Sequence, residues 1–228
     1  MSEIRIVQDI LEANDTIAAQ NRQLLDKHKI FAINIMSSPG AGKTSLILQT
    51  LAKLKDNLQI AIIEGDVAST VDAEKVKNHA AAVVQINTRN MAESCSLIAK
   101  MIDYTLKNLP LEDIDSLIIE NVGNLICPSE FALGEHKRVV ISSLPEGDDK
   151  PIKYPIIFAD ADVVIINKLD LLPYVDFDIL AFRNSIERLN QKVKFFEVSC
   201  KTGEGIENWC SWLLKEVENA RKITREGG

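Results

Sequence analysis

The sequence predicts an α/β fold, a mostly parallel sheet of about seven strands flanked by helices on both faces. Short β-branched runs recur at 31–36, 59–63, 82–86, 116–119, 138–142, 163–166 and 193–198. Helical patterns lie between most of them, at 44–55, 72–79, 91–107, 176–189 and 205–220. No internal repeat, low-complexity tract or linker rich in Pro, Gly or Ser interrupts this alternation.

The chain opens on an amphipathic pattern from about 4 to 27, where Ile6, Ile10, Ile17, Leu24 and Leu25 recur at helical spacing; this leading helix is expected to lie against the body. A length of 228 residues with 46% hydrophobic content suffices for one core, so 1–228 is expected to form a single domain headed by that helix. The tail from 221 to 228 is expected to fray. A net charge of -7 argues against nonspecific nucleic-acid binding, since the average surface repels phosphates. The N-terminus carries acids early and no apolar run, so neither a signal peptide nor a membrane span is expected. Four cysteines, Cys95, Cys127, Cys200 and Cys210, are too sparse for a disulfide scaffold, and a reducing cytoplasm is the expected location.

The first strand runs into Ser37-Ser38-Pro39-Gly40-Ala41-Gly42-Lys43-Thr44, and a helical pattern follows at once with Ser45. This is a Walker A phosphate loop between strand and helix, although Ser37 stands where the strict pattern has its first glycine. Gly40 and Gly42 let successive amides, including that of Ala41, turn toward phosphate oxygens, and the helix adds its positive end. Lys43 would neutralise the β and γ phosphates, while Thr44 would offer its hydroxyl to Mg²⁺.

Guanine is the expected base. Asn167-Lys168-Leu169-Asp170 follows the strand at 163–166, and a carboxylate at Asp170 accepts from N1 and the exocyclic amine of guanine, donors that adenine does not present there. The Lys168 stem would lie along the base, and Asn167 would hold N7 and the neighbouring loop. Ser199-Cys200-Lys201-Thr202-Gly203 follows the last strand, where a backbone amide would meet guanine O6. The order of the three motifs carries the inference of a GTP/GDP site.

Asp66 and Glu120 close two further strands and are expected near Thr44 and Mg²⁺, with the Gly123 amide on the γ phosphate. Asp72 is either a second acidic group near the loop that holds Asp66 or a helix N-terminal residue that complements the dipole. Lys43, Asp66, Glu120 and Gly123 are thus the catalytic candidates. Asn124, not glutamine, follows Gly123, so slow intrinsic hydrolysis is expected; the sequence assigns no arginine finger, although Arg89 and Arg138 lie in plausible loops.

The run Ile118-Ile119-Glu120-Asn121-Val122-Gly123-Asn124-Leu125-Ile126-Cys127-Pro128 resembles the signature of HypB hydrogenase maturation GTPases. So does Glu146-Gly147-Asp148-Asp149-Lys150-Pro151 leading to Lys153-Tyr154-Pro155, and so do Gly65-Asp66 and Gln85-Ile86-Asn87-Thr88. With the phosphate loop and Asn167 to Asp170, the similarity covers nearly the whole chain. It implies a P-loop NTPase of the SIMIBI type, a nucleotide-dependent homodimer with a metal site near the subunit interface. It also implies a role in nickel insertion into [NiFe]-hydrogenase, with a hydrogenase precursor or another nickel maturation protein as partner.

The metal segment departs from the family pattern N-T-G-K-x-C-H: here it reads Asn87-Thr88-Arg89-Asn90-Met91-Ala92-Glu93-Ser94-Cys95-Ser96. With about three residues inserted, Cys95 takes the family cysteine position and Ser96 replaces the histidine. Without insertion, Ala92 and Glu93 occupy the pair. Cys127 sits at the other family ligand position, and two thiolates from each of two subunits would suit Ni²⁺ or Zn²⁺. As alternatives, Cys127 is a small buried residue and Cys95 a core residue of an apolar helix. Cys210, between Trp209 and Trp212, reads as packing, and His79 and His136 as structural or surface residues. Two further functions stay open: a GTPase switch with a degenerate metal site that gates a partner, and a related maturation GTPase for urease or a cobalamin enzyme.

Overall fold

The computed structural model describes residues 2–65, 79–86 and 95–226, with side chains between 8 and 222 within those ranges. Seven strands form one sheet: β1 (Phe31–Ser37), β2 (Ile60–Glu64), β3 (Ala82–Gln85), β4 (Ser116–Glu120), β5 (Lys137–Ser143), β6 (Val163–Asn167) and β7 (Lys194–Glu197). Their spatial order is β3-β2-β4-β1-β5-β6-β7, and every neighbouring pair is parallel. The described helices are α1 (Ser2–Lys27), α2 (Lys43–Leu54), α3 (Ala99–Leu106), α4 (Cys127–Glu130), α5 (Lys150–Lys153), α6 (Pro155–Ala159), α7 (Ile179–Glu187) and α8 (Ile206–Glu226). The α/β architecture expected from the alternating pattern is the one observed.

The central strands are largely apolar because both faces of the sheet are covered. Ile33, Ile35, Ile60, Ile62, Ile118, Val139, Ile141, Val163 and Ile165 pack on one face against Leu46, Ile47 and Leu51 of α2 and Trp209, Leu213 and Val217 of α8. Their neighbours along each strand point the other way. Ala32, Ala61, Ile63, Leu117 and Ile119 meet Leu25 of α1 and Ile102 and Leu106 of α3, while Val140, Val164 and Ile166 meet Phe158 of α6 and Phe182 and Ile186 of α7.

The leading helix is tied to the body by buried carboxamides as well as by Leu25. Asn21 Nδ2 donates to Ala99 O and Leu133 O, both at 2.9 Å, and Asn14 Nδ2 donates to Ala132 O at 2.8 Å. The Ala99 amide, first in α3, donates to Asn14 Oδ1 at 2.9 Å, so a tertiary contact satisfies a helix-start donor that has no local cap. Gly134 (φ +103) leaves room for this approach, since a Cβ there would lie 2.6 Å from the Asn21 Cβ.

Two expectations change and a third falls outside the described residues. The helix expected over 91–107 begins at Ala99, because Ile98 is extended and the Leu97 amide is held by Asn121 at 3.2 Å; its first residues, 91–94, lie outside the described residues. The helix expected over 72–79 also falls there, apart from His79 in a turn. The tail expected to fray from 221 is helical to Glu226, and Arg221 pairs with Asp115.

Candidate functional site

All strands run the same way, so their C-terminal ends share one edge of the sheet, and the phosphate loop leaves the central strand there. Gly40 (φ +76) and Gly42 (φ +102) adopt the left-handed conformation that side chains resist, and α2 begins directly after Gly42. Lys43 Nζ donates to Ser37 Oγ at 3.1 Å, curling the ammonium back over the loop. Thr44 Oγ1 donates to Glu120 Oε1 at 3.0 Å, which joins the first residues of α2 to the end of β4. Gly123 packs on the same loop: a Cβ there would lie 3.2 Å from Pro39 Cγ and 3.3 Å from its backbone. Thr44, Glu120 and Gly123 therefore surround one place.

A cavity of about 380 Å³ opens beside the loop, lined by Gly42, Ser45, Asn167, Lys168, Asp170, Leu171, Cys200 and Lys201. Asn167 is its hinge: Nδ2 donates to Ala41 O at 2.9 Å, while Oδ1 accepts from Lys168 N at 2.7 Å and from Cys200 N at 3.4 Å. Lys168, itself left-handed at φ 65, donates from Nζ to Gly40 O at 2.7 Å. Ser199 Oγ donates to Asp170 Oδ1 at 2.6 Å, and Lys201 Nζ lies 3.9 Å from Asp170 Oδ2. The carboxylate is thereby turned with one oxygen engaged and the other near Lys201. Burial pushes the Cys200 thiol up to about 11, against the opposing effect of its hydrogen bond with Asn167, so it stays a neutral thiol at pH 7.

The second cluster lies on the loop that follows Gly123. Cys95 and Cys127 are joined as a disulfide, with Cα atoms 6.0 Å apart and a sequence separation of 32. Cys95 is exposed and lies outside any helix, and Cys127 begins α4. Asn124 Nδ2 lies 3.5 Å from Cys127 Sγ, and Asn124 Oδ1 accepts from Ile126 N at 2.7 Å. A metal would need the reduced pair, because the thiolate is the ligand. Among the described residues no group of three or more His, Cys, Asp and Glu side chains is placed to hold a metal, so one chain offers two sulfur donors here.

Comparison with known proteins bears on the whole arrangement. A family profile described as "CobW/HypB/UreG, nucleotide-binding domain" matches residues 31–197, which hold the phosphate loop, both cysteines and Asp170. The Rhizobium leguminosarum bv. viciae protein described as "Hydrogenase maturation factor HypB" is 45% identical over 229 residues, covering 99% of this chain and 75% of that one. This chain belongs to the HypB family. The crystal structure of HypB from Helicobacter pylori in complex with nickel superposes with a TM-score of 0.84 at 36% identity, covering 91% of this chain and 96% of that chain. The signal recognition particle receptor FtsY from Elizabethkingia anophelis, at 16% identity, TM-score 0.54 and coverage of 86% and 70%, shares the fold alone, which is that of the SIMIBI P-loop proteins.

Asp66, Asp72 and Arg89 of this HypB chain lie outside the described residues, and three further candidates lie away from the site. Arg138 sits at the start of β5, at the opposite edge of the sheet, and pairs with Glu135 at 2.9 Å and Asp160 at 3.2 Å; it is no arginine for the phosphates. His136 is engaged by Asp26 and the Ala32 amide, and Cys210 is buried behind Trp209.

Other residues enter without having been singled out. Glu64 ends β2 in register with Glu120 and is 4% exposed, so the edge carries two neighbouring buried carboxylates; its position as last residue of an apolar strand was the available signal. Gln49 supports the base loop by donating to Cys200 O at 2.9 Å. Nothing in the local sequence marks that contact.

Proposed function

We propose that this HypB-family chain is a GTPase that couples nucleotide state to metal handling in nickel delivery to [NiFe]-hydrogenase. The observation that carries the reading is the meeting of Cys95 and Cys127 on the loop leaving β4 directly beyond Gly123, beside the phosphate loop. It supports the alignment in which about three residues are inserted before Cys95 and Ser96 replaces the family histidine. The cavity bounded by Asn167, Asp170 and Cys200 supports guanine as the base.

In this reading the Ala41 to Ser45 amides and Lys43 bind the phosphates, and Asp170, held by Ser199, accepts from guanine. Thr44 and Glu120 offer the hard oxygen donors that suit Mg²⁺, with Asp66 as a further candidate. Bound there, Mg²⁺ would supply charge neutralisation between the β and γ phosphates. Asn124 is occupied with Ile126 and Cys127, which supports slow intrinsic turnover. Two sulfur donors per chain favour completion of a four-donor Ni²⁺ or Zn²⁺ site by a second copy in a GTP-bound homodimer. Exposed apolar side chains on the segments leaving the same sheet edge, Ile126, Ile152, Ile156, Tyr174 and Leu180, support such an association. Metal released on hydrolysis would pass to a hydrogenase precursor or another nickel maturation protein. In the reducing cytoplasm the cysteine pair would stand as the dithiol.

Titration of reduced protein with Ni²⁺ and with Zn²⁺, once with GDP and once with a nonhydrolysable GTP analogue, tests the coupling. Affinity is expected to differ between nucleotide states; equal affinities would defeat it. The absence of a three-donor cluster among the described residues favours a second reading, a nucleotide switch that gates a partner without handling metal. Unchanged support of hydrogenase maturation by Cys127→Ala would select it.

A further inference from the structure

One buried side chain joins the nucleotide edge to both cysteine segments. Asn121, fully buried, lies between Glu120 and Gly123 on the loop leaving β4. Its Oδ1 accepts from Val122 N at 2.9 Å and from Leu97 N at 3.2 Å, and its Nδ2 donates to Asn34 Oδ1 at 3.2 Å. Asn34, also fully buried in β1, donates in turn to Glu135 Oε1 at 3.3 Å. One acceptor oxygen therefore holds the backbone just before Gly123 and the backbone two residues after Cys95.

The surroundings leave this linkage little slack. Gly65 meets Leu97 so closely that a Cβ would lie 2.6 Å from Leu97 Cδ1, and Gly123 rests against Pro39 of the phosphate loop. Cys127 is reached along the same loop through Asn124. A shift of the backbone at 122–123 strains either the Val122 bond or the Leu97 bond, since both converge on one oxygen of a carboxamide whose Nδ2 is held by Asn34.

We infer that Asn121 is a positioning residue that sets the geometry of the Cys95 and Cys127 pair according to the nucleotide bound. The inference deepens the proposed function and rests on it. When the Gly123 amide is drawn toward a γ phosphate, the Asn121 carboxamide turns with Val122, the Leu97 amide follows or is released, and Cys95 moves relative to Cys127. Coupling of this kind requires an element with two arrangements biased from both sides, and the 121–127 loop touches both.

The test uses reduced protein at saturating GDP or nonhydrolysable GTP analogue, reacted with iodoacetamide. Each protein thiolate displaces iodide from the reagent and forms a thioether that the neighbouring thiol cannot exchange, and the labelled peptides resolve Cys95 and Cys127 from the other cysteines. Wild-type labelling rates at Cys95 are expected to differ at least about fivefold between the two states. Asn121→Leu keeps the size but removes both acceptor and donor, and its rate ratio should fall to about one. Asn121→Asp retains the acceptor oxygen toward Leu97 and Val122 but sets a second oxygen against Asn34 Oδ1, so its ratio should lie above that of Asn121→Leu without reaching the wild type, whereas a merely structural role would leave the two variants alike. Hydrogen exchange at the Leu97 amide of the wild-type chain reads the same bond without a substitution, and its protection must change with the nucleotide.

Asn121→Leu responding like the wild type, or Leu97 protection indifferent to the nucleotide, overturns the inference alone. A wild type whose thiol rates and nickel affinity both ignore the nucleotide overturns the underlying reading and the inference with it.

Discussion

Gly42 stands so close to Asn167 that a Cβ on the glycine would collide with the Asn167 amide nitrogen, the same nitrogen that donates to Ala41 O at 2.9 Å. The contact locks the phosphate loop to the residue that opens the base-recognising segment. Gly42→Ala would meet two penalties at once, the left-handed φ of +102 and displacement of the Asn167 carboxamide. The first costs about 1–2 kcal/mol and the second about 1 kcal/mol, which together reduce GDP affinity by at least about tenfold. Titration with a fluorescent GDP analogue measures it. An affinity equal to the wild type would show that the loop does not need this lock.

The Asp170 carboxylate is turned by the Ser199 hydroxyl at 2.6 Å. Asp170→Asn replaces an acceptor pair by one acceptor and one donor, opposing the amine of guanine. Loss of one charged hydrogen bond is about 1.5–3 kcal/mol, so GDP binding should weaken by about 10- to 100-fold. Xanthosine diphosphate carries a carbonyl where guanine has its amine, so it should gain relative to GDP. Competition between the two nucleotides reads the change, and an unaltered preference for GDP would place the base elsewhere.

What could be read from the chain and what could not divides along sequence distance. Ile33, Ile62 and Ile165 announce buried strands because apolar residues on both parities leave no solvated face. Lys43, Asn167 and Asp170 are legible because phosphate and guanine chemistry constrain short local runs. The Leu97 to Asn121 bond spans 24 residues, Asn21 to Leu133 112, and Gln49 to Cys200 151, and each joins residues with no local pattern. The late start of α3 follows from the same cause, since a distant carboxamide holds the backbone that periodicity alone assigns to a helix. The disulfide was hidden as well, because the count of four cysteines says nothing about which sulfurs meet.

Oxidation and metal binding at Cys95 and Cys127 should exclude one another. A disulfide sulfur has no thiolate charge to give, so Ni²⁺ or Zn²⁺ binding at the pair requires prior two-electron reduction. Reoxidation by glutathione disulfide, which takes both protein thiols to the disulfide and yields two glutathione thiols, should abolish it. Cys127→Ser should lower Ni²⁺ affinity of the reduced chain by about 100-fold or more, as direct ligands matter at least as much as their supports. Calorimetric titration of reduced and oxidised protein decides the matter; equal binding by both forms would remove the pair from metal handling.

His136 joins the leading helix to the sheet as a neutral ring. Its Nδ1 accepts from the Ala32 amide at 3.0 Å, its Nε2 donates to Asp26 Oδ1 at 2.8 Å, and the ring tilts against Phe31 with centroids 5.1 Å apart. Burial lowers its pKa below the usual histidine value and the nearby Arg22 adds to this, outweighing the opposing pull of Asp26 and Glu135. A base whose folded-state pKa is depressed takes up a proton on unfolding at intermediate pH. Its contribution is therefore fully present above the unfolded value of about 6.5 and is lost as pH falls below it. Protonation would also turn Nδ1 into a donor facing the Ala32 donor, breaking the ring's bond to β1. Denaturant unfolding at pH 7.5 and 5.5 should show the wild type losing stability on acidification and His136→Gln losing less. Equal losses in the two proteins would assign the acid sensitivity to other groups.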